Sequence, residues 1–289
     1  MFDHIAFPTP YQTLDTPFPV QLTVKRLDLI HPQISGNKFF KLKYNLLAAK
    51  QQNLNQVLTF GGAYSNHIAA TAYAAHYFGF QSIGIIRGEE LAKQAFNPTL
   101  QTAQDFGMQL HFVSRAEYRL RHESEYLQQL QRQYPQAFII PEGGTNTLAI
   151  QGTQEILTSE DRENYDVICC AVGTGGTIAG IIESSSEQQQ VLGFSALKGD
   201  FLQRDIQQWT DKQNWALTDA YCCGGYAKTS QELLQFMQQF EQRYAIPLEQ
   251  VYTAKMMMGL FDLIQKNHFS ANTRILAIHT GGLQGRLNR

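Results

Sequence analysis

The chain has 289 residues, 43% hydrophobic and 17% charged, with a net charge of −2, an ordinary globular composition with room for one large or two smaller domains. The near-neutral balance excludes the basic footprint of a nucleic-acid or anionic-membrane binder, and no apolar run is long enough to span a bilayer. The start, Met1-Phe2-Asp3-His4-Ile5-Ala6, lacks the basic-then-apolar pattern of a secretion signal, and the adjacent pairs Cys169-Cys170 and Cys222-Cys223 form neither a disulfide framework nor a Cys-x-x-Cys motif, so a reducing cytoplasm is the expected compartment.

In chain order, the Pro- and Thr-rich start through Thr16 reads as irregular, and Val20 to Leu27 alternates as a strand. The stretch Ile34-Ser35-Gly36-Asn37-Lys38 reads as a loop entering a helix, with Phe40, Tyr44 and Leu47 spaced to share an apolar face. A rhythm of strand, glycine turn and helix follows. Gln56 to Phe60 is a strand running into Gly61-Gly62, Asn66 to Phe78 a helix, and Gln81 to Arg87 a strand. Asn97-Pro98 opens a helix ending near Gly107, Gln109 to Ser114 is a strand, and Ala116 to Gln133 is one long polar helix. Ala137 to Ile140 is a strand running into Pro141-Glu142-Gly143-Gly144, and Leu148 to Leu157 is helical. Asp166 to Val172 is a strand, Thr177 lies at the start of the next helix, and Val191 to Ala196 is again a strand. The polar run Ser184 to Gln190 reads as a surface loop. Ser230 to Tyr244 and Lys255 to Lys266 are helices, with Met256-Met257-Met258 as core, and Arg274 to His279 is the last strand. Trp209 and Trp215 flank a polar segment and read as structural. This alternation predicts an α/β protein with mainly parallel sheets. In such sheets ligands bind beyond the carboxyl ends of strands, where this chain places Gly61-Gly62, Gly143-Gly144, Gly175-Gly176 and Gly281-Gly282.

Lys38, at a helix start, has the field that lowers a lysine pKa and frees the amine as a nucleophile, although taken alone the pattern describes a solvated lysine better. Val172-Gly173-Thr174-Gly175-Gly176-Thr177 follows an apolar strand and opens a helix. Its amides and hydroxyls suit a phosphate, and the bland alternative is a glycine turn. It is neither a Walker loop nor Gly-x-Gly-x-x-Gly, because Ile178 stands at the last glycine's position. Ser65 and Asn66 suit a helix cap; they equally suit hydrogen bonds to a ligand ring, with Ser65 in proton transfer or carboxylate binding. His67 has general acid–base chemistry and, one turn into a helix, an equal claim to a supporting role. Glu142 reads as a surface carboxylate, and the histidines show no metal-ligand spacing.

Taken together, Ser35-Gly36-Asn37-Lys38 with Lys41-Leu42, Gly62-Ala63-Tyr64-Ser65-Asn66-His67, Val251-Tyr252-Thr253-Ala254-Lys255 and His279-Thr280-Gly281-Gly282 resemble the 1-aminocyclopropane-1-carboxylate deaminase and D-cysteine desulfhydrase family, in order from about Pro8 to Gly282. The resemblance implies pyridoxal 5'-phosphate as cofactor and the tryptophan-synthase-β-like (fold type II) architecture: two open, mainly parallel α/β domains with the cofactor in the cleft between them. The larger domain is expected over 1–51 and 148–289 and the smaller, inserted one over 52–147. It implies Lys38 as the Schiff-base lysine, Ser65 in acid–base work, Asn66 on the cofactor's phenolic oxygen, and Gly173, Thr174, Gly175, Gly176 and Thr177 as the phosphate loop. Tyr252 and Tyr226 would stand on the substrate side of the ring, and Thr253 and Thr280 at the positions that meet the ring. A homodimer is implied as well.

Within the family, deaminases resemble a pattern with Glu after the Val-Tyr tyrosine and Leu before the last glycine pair, whereas desulfhydrases resemble this chain with Ser or Thr at both. A carboxylate at the pyridine nitrogen keeps it protonated and deepens the electron sink; a threonine cannot. Opening a cyclopropane needs that sink more than expelling a β-thiolate does. The expectation is therefore a lyase acting on a small amino acid, desulfhydrase-like, that releases keto acid, ammonia and a thiol or sulfide. Deamination of the cyclopropane acid, racemisation or dehydration on the same scaffold are the alternatives, beside a relative that binds cofactor without turnover. A dinucleotide oxidoreductase is a weaker rival, because Val191 to Ala196 leads into Leu197-Lys198 rather than a ribose-binding acid.

Overall fold

Strand and helix alternate along the whole chain of the computed structural model, which describes residues 1–286. In chain order the elements are β1 (Tyr11–Leu14), β2 (Gln21–Lys25), α1 (Asn37–Gln51), β3 (Gln56–Gly61), α2 (Asn66–Phe78), β4 (Gln81–Arg87), α3 (Pro98–Asp105) and β5 (Gln109–Val113). Next come α4 (Arg115–Arg119), α5 (Ser124–Gln133), β6 (Ala137–Ile140), α6 (Thr147–Gln154), α7 (Ser159–Asn164), β7 (Val167–Val172), α8 (Gly176–Ser184) and β8 (Gln190–Ser195). The last are α9 (Phe201–Gln207), β9 (Trp215–Thr218), α10 (Gln231–Tyr244), α11 (Thr253–Gln265) and β10 (Arg274–Ile278). The chain divides into two compact units, one of residues 1–5, 31–34 and 38–152, the other of residues 6–30, 35–37 and 153 onward.

In the first unit the described strands form a parallel sheet in the order β5-β4-β3-β6. Leu58, Phe60, Ile83, Ile85 and Leu130 pack on one another there, and Ile68, Ile86, Leu100 and Met108 make a second cluster. In the second unit the order is β1-β2-β10-β7-β8-β9, parallel except for the antiparallel pair β1–β2. Leu276 stands opposite Thr23 on one side and Ile168 on the other, fixing the register of the central strands. Every residue of β7 is buried, which is why it reads as an unbroken apolar run rather than an alternating one. Met256 and Met257 of α11 pack into this unit's core beside Phe194 and Leu260.

The helix over Asn66–Phe78 and the strands over Gln81–Arg87 and Ala137–Ile140 have the expected bounds. Elsewhere the structure corrects the expectations. The irregular start contains β1, whose Tyr11 pairs with Lys25 of β2. The prolines at 8 and 10 precede this edge strand rather than interrupt it. The long helix over 116–133 is two helices, α4 and α5, joined by a tight turn at Leu120–His122. An unbroken helix would turn Tyr118 and Tyr126 about 80° apart; the break lets both pack against the same cluster. In α1 the buried face is Phe39, Leu42, Leu46 and Ala49, while of the expected stripe only Phe40 is buried and Tyr44 and Leu47 lie half-buried at its edge. The short elements α7, α9 and β9 carry too weak a pattern to be foreseen. Gln189, in the expected surface loop, is buried and donates its amide to the carbonyls of Asp161 at 2.9 Å and Tyr165 at 2.8 Å.

Candidate cofactor site

In the second unit, β7 ends at Val172 and the chain turns through Gly173-Thr174-Gly175 into α8. Gly175, the N-cap residue of α8, adopts φ +81°, the left-handed conformation that glycine takes without strain. Having no side chain, it leaves the approach to the first-turn N–H groups open from the N-cap position, as suits an anion seat. Thr177 Oγ1 accepts a hydrogen bond from Asn37 Nδ2 at 2.7 Å. A hydroxyl has a single proton, so Thr177 keeps its own to donate elsewhere. No acidic residue occurs in 173–177. A turn without carboxylates at a helix N-terminus, with backbone N–H groups and a threonine hydroxyl proton to donate, fits the phosphate of pyridoxal phosphate.

Asn37 ties this turn to a third loop. Its backbone N–H donates to the Thr280 carbonyl at 3.1 Å, just past β10, the strand hydrogen-bonded to β7. Gly36 (φ +66°) lies so close to this strand end that a Cβ there would stand 1.9 Å from the Thr280 oxygen. The contact is buttressed by a buried polar group. Arg26 holds Asp28 through Nε at 2.8 Å and a terminal nitrogen at 2.6 Å, and Ser35 Oγ donates to the Asp28 carbonyl at 3.2 Å. His279 donates from Nε2 to the Pro247 carbonyl at 2.8 Å and accepts the Gly281 N–H on Nδ1 at 3.2 Å. Burial lowers the His279 pKa against the opposing pull of Asp28. The ring is accordingly a neutral strut for the Thr280-Gly281-Gly282 turn.

The two tyrosines singled out in the sequence meet. Tyr252 and Tyr226 pack edge to face with ring centroids 6.1 Å apart, and the Tyr252 ring also lies against Gly173, where a Cβ would come within 2.9 Å of its Cε1. Tyr252 directly precedes α11, and its backbone N–H is held at 2.8 Å by the Glu249 carboxylate. The same carboxylate accepts the N–H groups of Val251 at 2.7 Å and Thr253 at 2.6 Å. Burial raises the Glu249 pKa, and the amide donors pull the other way. Thr253 is fully buried; its hydroxyl accepts the Glu249 N–H at 3.0 Å and lies 3.2 Å from the Glu249 carboxylate. Its polar group is thus engaged in the head of its own helix. Glu249 escaped the sequence reading, although an acidic residue just ahead of a helix start is a recognised capping signal.

In the first unit, Lys38 is the second residue of α1 and half-buried. Ser65 caps α2, its Oγ accepting the Ile68 N–H at 3.3 Å, which leaves the hydroxyl proton to be donated. Asn66 begins the helix. Lys41, 2% exposed, donates to the Gly143 carbonyl and to Thr145 Oγ1, both at 2.9 Å. Thr59 Oγ1 lies 2.9 Å from the Ile140 carbonyl and 2.8 Å from His67 Nε2. The single hydroxyl proton goes to the carbonyl, so His67 donates from Nε2 and its buried Nδ1 has no hydrogen-bond partner among the described residues. Burial, then the positive charges of Lys38 and Lys41, push the His67 pKa well below its ordinary value. Glu142, expected at the surface, is partly buried and receives Tyr118 Oη at 2.6 Å and Arg121 Nε at 2.7 Å.

A neutral buried His67 makes stability fall with acid. Its folded pKa is depressed, so the unfolded chain binds the extra proton, and folding free energy is lost as pH drops below the unfolded value of about 6.5. The one proton gives a slope of about 1.4 kcal/mol per pH unit there. Urea titrations at descending pH should show that slope reduced by roughly this amount in His67→Gln; equal slopes would place the proton elsewhere.

A sequence model described as pyridoxal-phosphate dependent enzyme matches residues 3–281. A putative 1-aminocyclopropane-1-carboxylate deaminase of Thermotoga maritima is 30% identical over 96% of this chain and 95% of that protein. The mitochondrial bifunctional D-cysteine desulfhydrase/1-aminocyclopropane-1-carboxylate deaminase of Arabidopsis thaliana is 31% identical over 98% of this chain and 78% of that protein. The crystal structure of an ACC deaminase homologue, 27% identical, superposes with a TM-score of 0.82 over 97% of this chain and 91% of the other.

Proposed function

Because this chain belongs to the pyridoxal-phosphate dependent enzyme family, we propose that it is a lyase of small amino acids, working by β-elimination in the manner of a D-cysteine desulfhydrase. It has the tryptophan-synthase-β-like, fold type II architecture, and its cofactor is pyridoxal 5'-phosphate. With cysteine as substrate, one water is consumed and pyruvate, ammonia and hydrogen sulfide are released. The observation that carries the choice is Thr280 at the strand end beside the phosphate turn. The neighbouring acid, Glu249, is committed to the head of α11. A hydroxyl at the ring nitrogen makes a shallower electron sink than a carboxylate, which is adequate for expelling a thiolate.

In this proposal Lys38 would hold the cofactor covalently. The Gly173–Thr177 turn would supply N–H and hydroxyl donors to its phosphate, Asn66 would bond the phenolic oxygen, and Thr280 would serve the ring nitrogen. Thr253 contributes by fixing Tyr252 through Glu249. Once bound, the cofactor supplies the electron sink for breaking bonds at the substrate's α-carbon. The Lys38 amine takes the α-proton as general base. Ser65 donates its hydroxyl proton to the substrate carboxylate, and Tyr252 and Tyr226 confine the side chain that leaves. Fixed orientation of the breaking bond is the protein's main contribution. No helix among the described residues is long and apolar enough to cross a membrane, and the proposed setting is a cytoplasmic homodimer.

Two measurements test the reading. Borohydride reduction of the holoenzyme should place the label on the peptide containing Lys38, and a label on any other lysine removes the assignment. A panel of D- and L-amino acids with the cyclopropane acid, scored for keto acid, ammonia and sulfide, should show sulfide from a cysteine enantiomer as the fastest product. Faster ammonia release from the cyclopropane acid would make this chain a deaminase instead.

A further inference from the structure

Lys255 is 1% exposed in the first turn of α11. Its ammonium donates to the carbonyls of Cys222 and Gly225, each at 2.8 Å, and no carboxylate of the described residues lies within ion-pair distance of it. Burying a cation without a counter-ion is costly, and hydrogen bonds to carbonyls offset only part of that cost. The two carbonyls show where the ammonium acts. The chain from Asp219 to Lys228 runs through three successive turns, closed by the N–H of Cys222 on Asp219, of Gly225 on Cys222 and of Lys228 on Gly225. Cys222 and Gly225 are the hinges shared by adjoining turns, and Lys255 bridges both hinge oxygens. The turns come at a backbone cost: Cys223 (φ +54°) and Ala227 (φ +55°) are in the left-handed region that disfavours side chains. Tyr226, between Gly225 and Ala227, is 50% exposed, and its ring packs edge to face with that of Tyr252, the residue directly ahead of the helix that carries Lys255.

We propose that Lys255 is a positioning residue for substrate recognition: its ammonium clasps the Cys222–Gly225 turn and so sets Tyr226 against Tyr252. The inference rests on the reading of Tyr226 as a substrate-side residue given above. The hinge carbonyls keep their turn N–H partners when Lys255 is replaced, and methionine has similar bulk, so Lys255→Met leaves the core filled. Lys255→Gln retains an amide donor and serves as the conservative variant.

The experiment uses the cofactor-loaded enzyme and three readouts. Trypsin cleavage after the exposed Lys228, followed by mass spectrometry, reports opening of the turn independently of function. In Lys255→Met it should accelerate about tenfold, with Lys255→Gln intermediate. The KM for the best substrate of the amino-acid panel should rise about tenfold with kcat changed less than about threefold. The dissociation constant for pyridoxal phosphate, read by absorbance, should stay within about twofold of the original. Tyr226→Ala should reproduce the KM effect, and the double variant should add little to it. Unchanged cleavage in both Lys255 variants overturns the clasp. Faster cleavage with KM unmoved in Lys255→Met and in Tyr226→Ala leaves the clasp standing and overturns the substrate role of Tyr226. A KM shift in Tyr226→Ala alone overturns the coupling while sparing that role.

Discussion

Lys38→Ala is expected to abolish turnover while the protein stays folded. Under the proposed role, loss of the proton-transferring amine alone should cost about 10²–10⁴-fold in kcat, and loss of covalent cofactor capture should add to it. The variant should still bind pyridoxal phosphate through the Gly173–Thr177 turn but lack the absorbance of a lysine-linked cofactor, and a small primary amine should restore part of the rate. The structure supplies an independent signature. Lys38 is one of the two cations that depress the His67 pKa, so its removal should move the His67 titration upward, which NMR can follow without substrate. An unmoved His67, together with retained turnover, would remove Lys38 from the centre of the reaction.

Gly36→Ala produces the largest loss of stability expected of any single-methyl addition described above. The new Cβ would stand 1.9 Å from the Thr280 carbonyl oxygen at a residue with φ +66°. Left-handed backbone costs an alanine about 1–2 kcal/mol, and forcing an atom into a filled contact adds about 1–3 kcal/mol. Gly79 provides the control: it has φ +79°, but open space surrounds its Cβ position, so Gly79→Ala should show the backbone cost of about 1–2 kcal/mol alone. Denaturant midpoints of the two variants separate the terms. Relief of the Gly36 clash pushes apart the strand end and the Asn37 N–H that binds it, so cofactor affinity should fall in Gly36→Ala and hold in Gly79→Ala. Equal losses in both variants would show that the Gly36 contact yields without consequence.

How much of this was legible before any coordinates depends on whether an interaction is local. The helix over Asn66–Phe78 could be bounded because its signals are adjacent: Ser65 caps it and Gly79 ends it with φ +79°. The glycine turns could be placed because a buried parallel strand reads as an apolar run and its turn follows at once. The strand Tyr11–Leu14 could not, because its pairing with Gln21–Lys25 outweighs a composition that points to coil. The break between Arg115–Arg119 and Ser124–Gln133 was hidden too, since the reason for it lies in the cluster both pieces pack on. At the candidate site the residue types were visible and their partnerships were not. Nothing near Asn37 announces Thr177, 140 residues onward. Thr253 drew notice for a threonine's chemistry, whereas the neighbouring Glu249 organises the helix head. Lys255 stood in the sequence as the first residue of a helix, and nothing local announces its burial or its two carbonyl partners.

The turn that presents Tyr226 has a practical side. Among the described residues Cys169, Cys170 and Cys222 are buried, and Cys223, three residues ahead of Tyr226, is the half-exposed thiol. Burial raises the Cys169 pKa far above the range in which a thiolate forms, and thiolate is the species that alkylating reagents attack. Of the four, Cys223 is the cysteine an alkylating reagent should reach first, and because its Sγ donates to the Tyr221 carbonyl at 3.6 Å and it packs on the core, the rate of its modification would report opening of the Tyr226 turn.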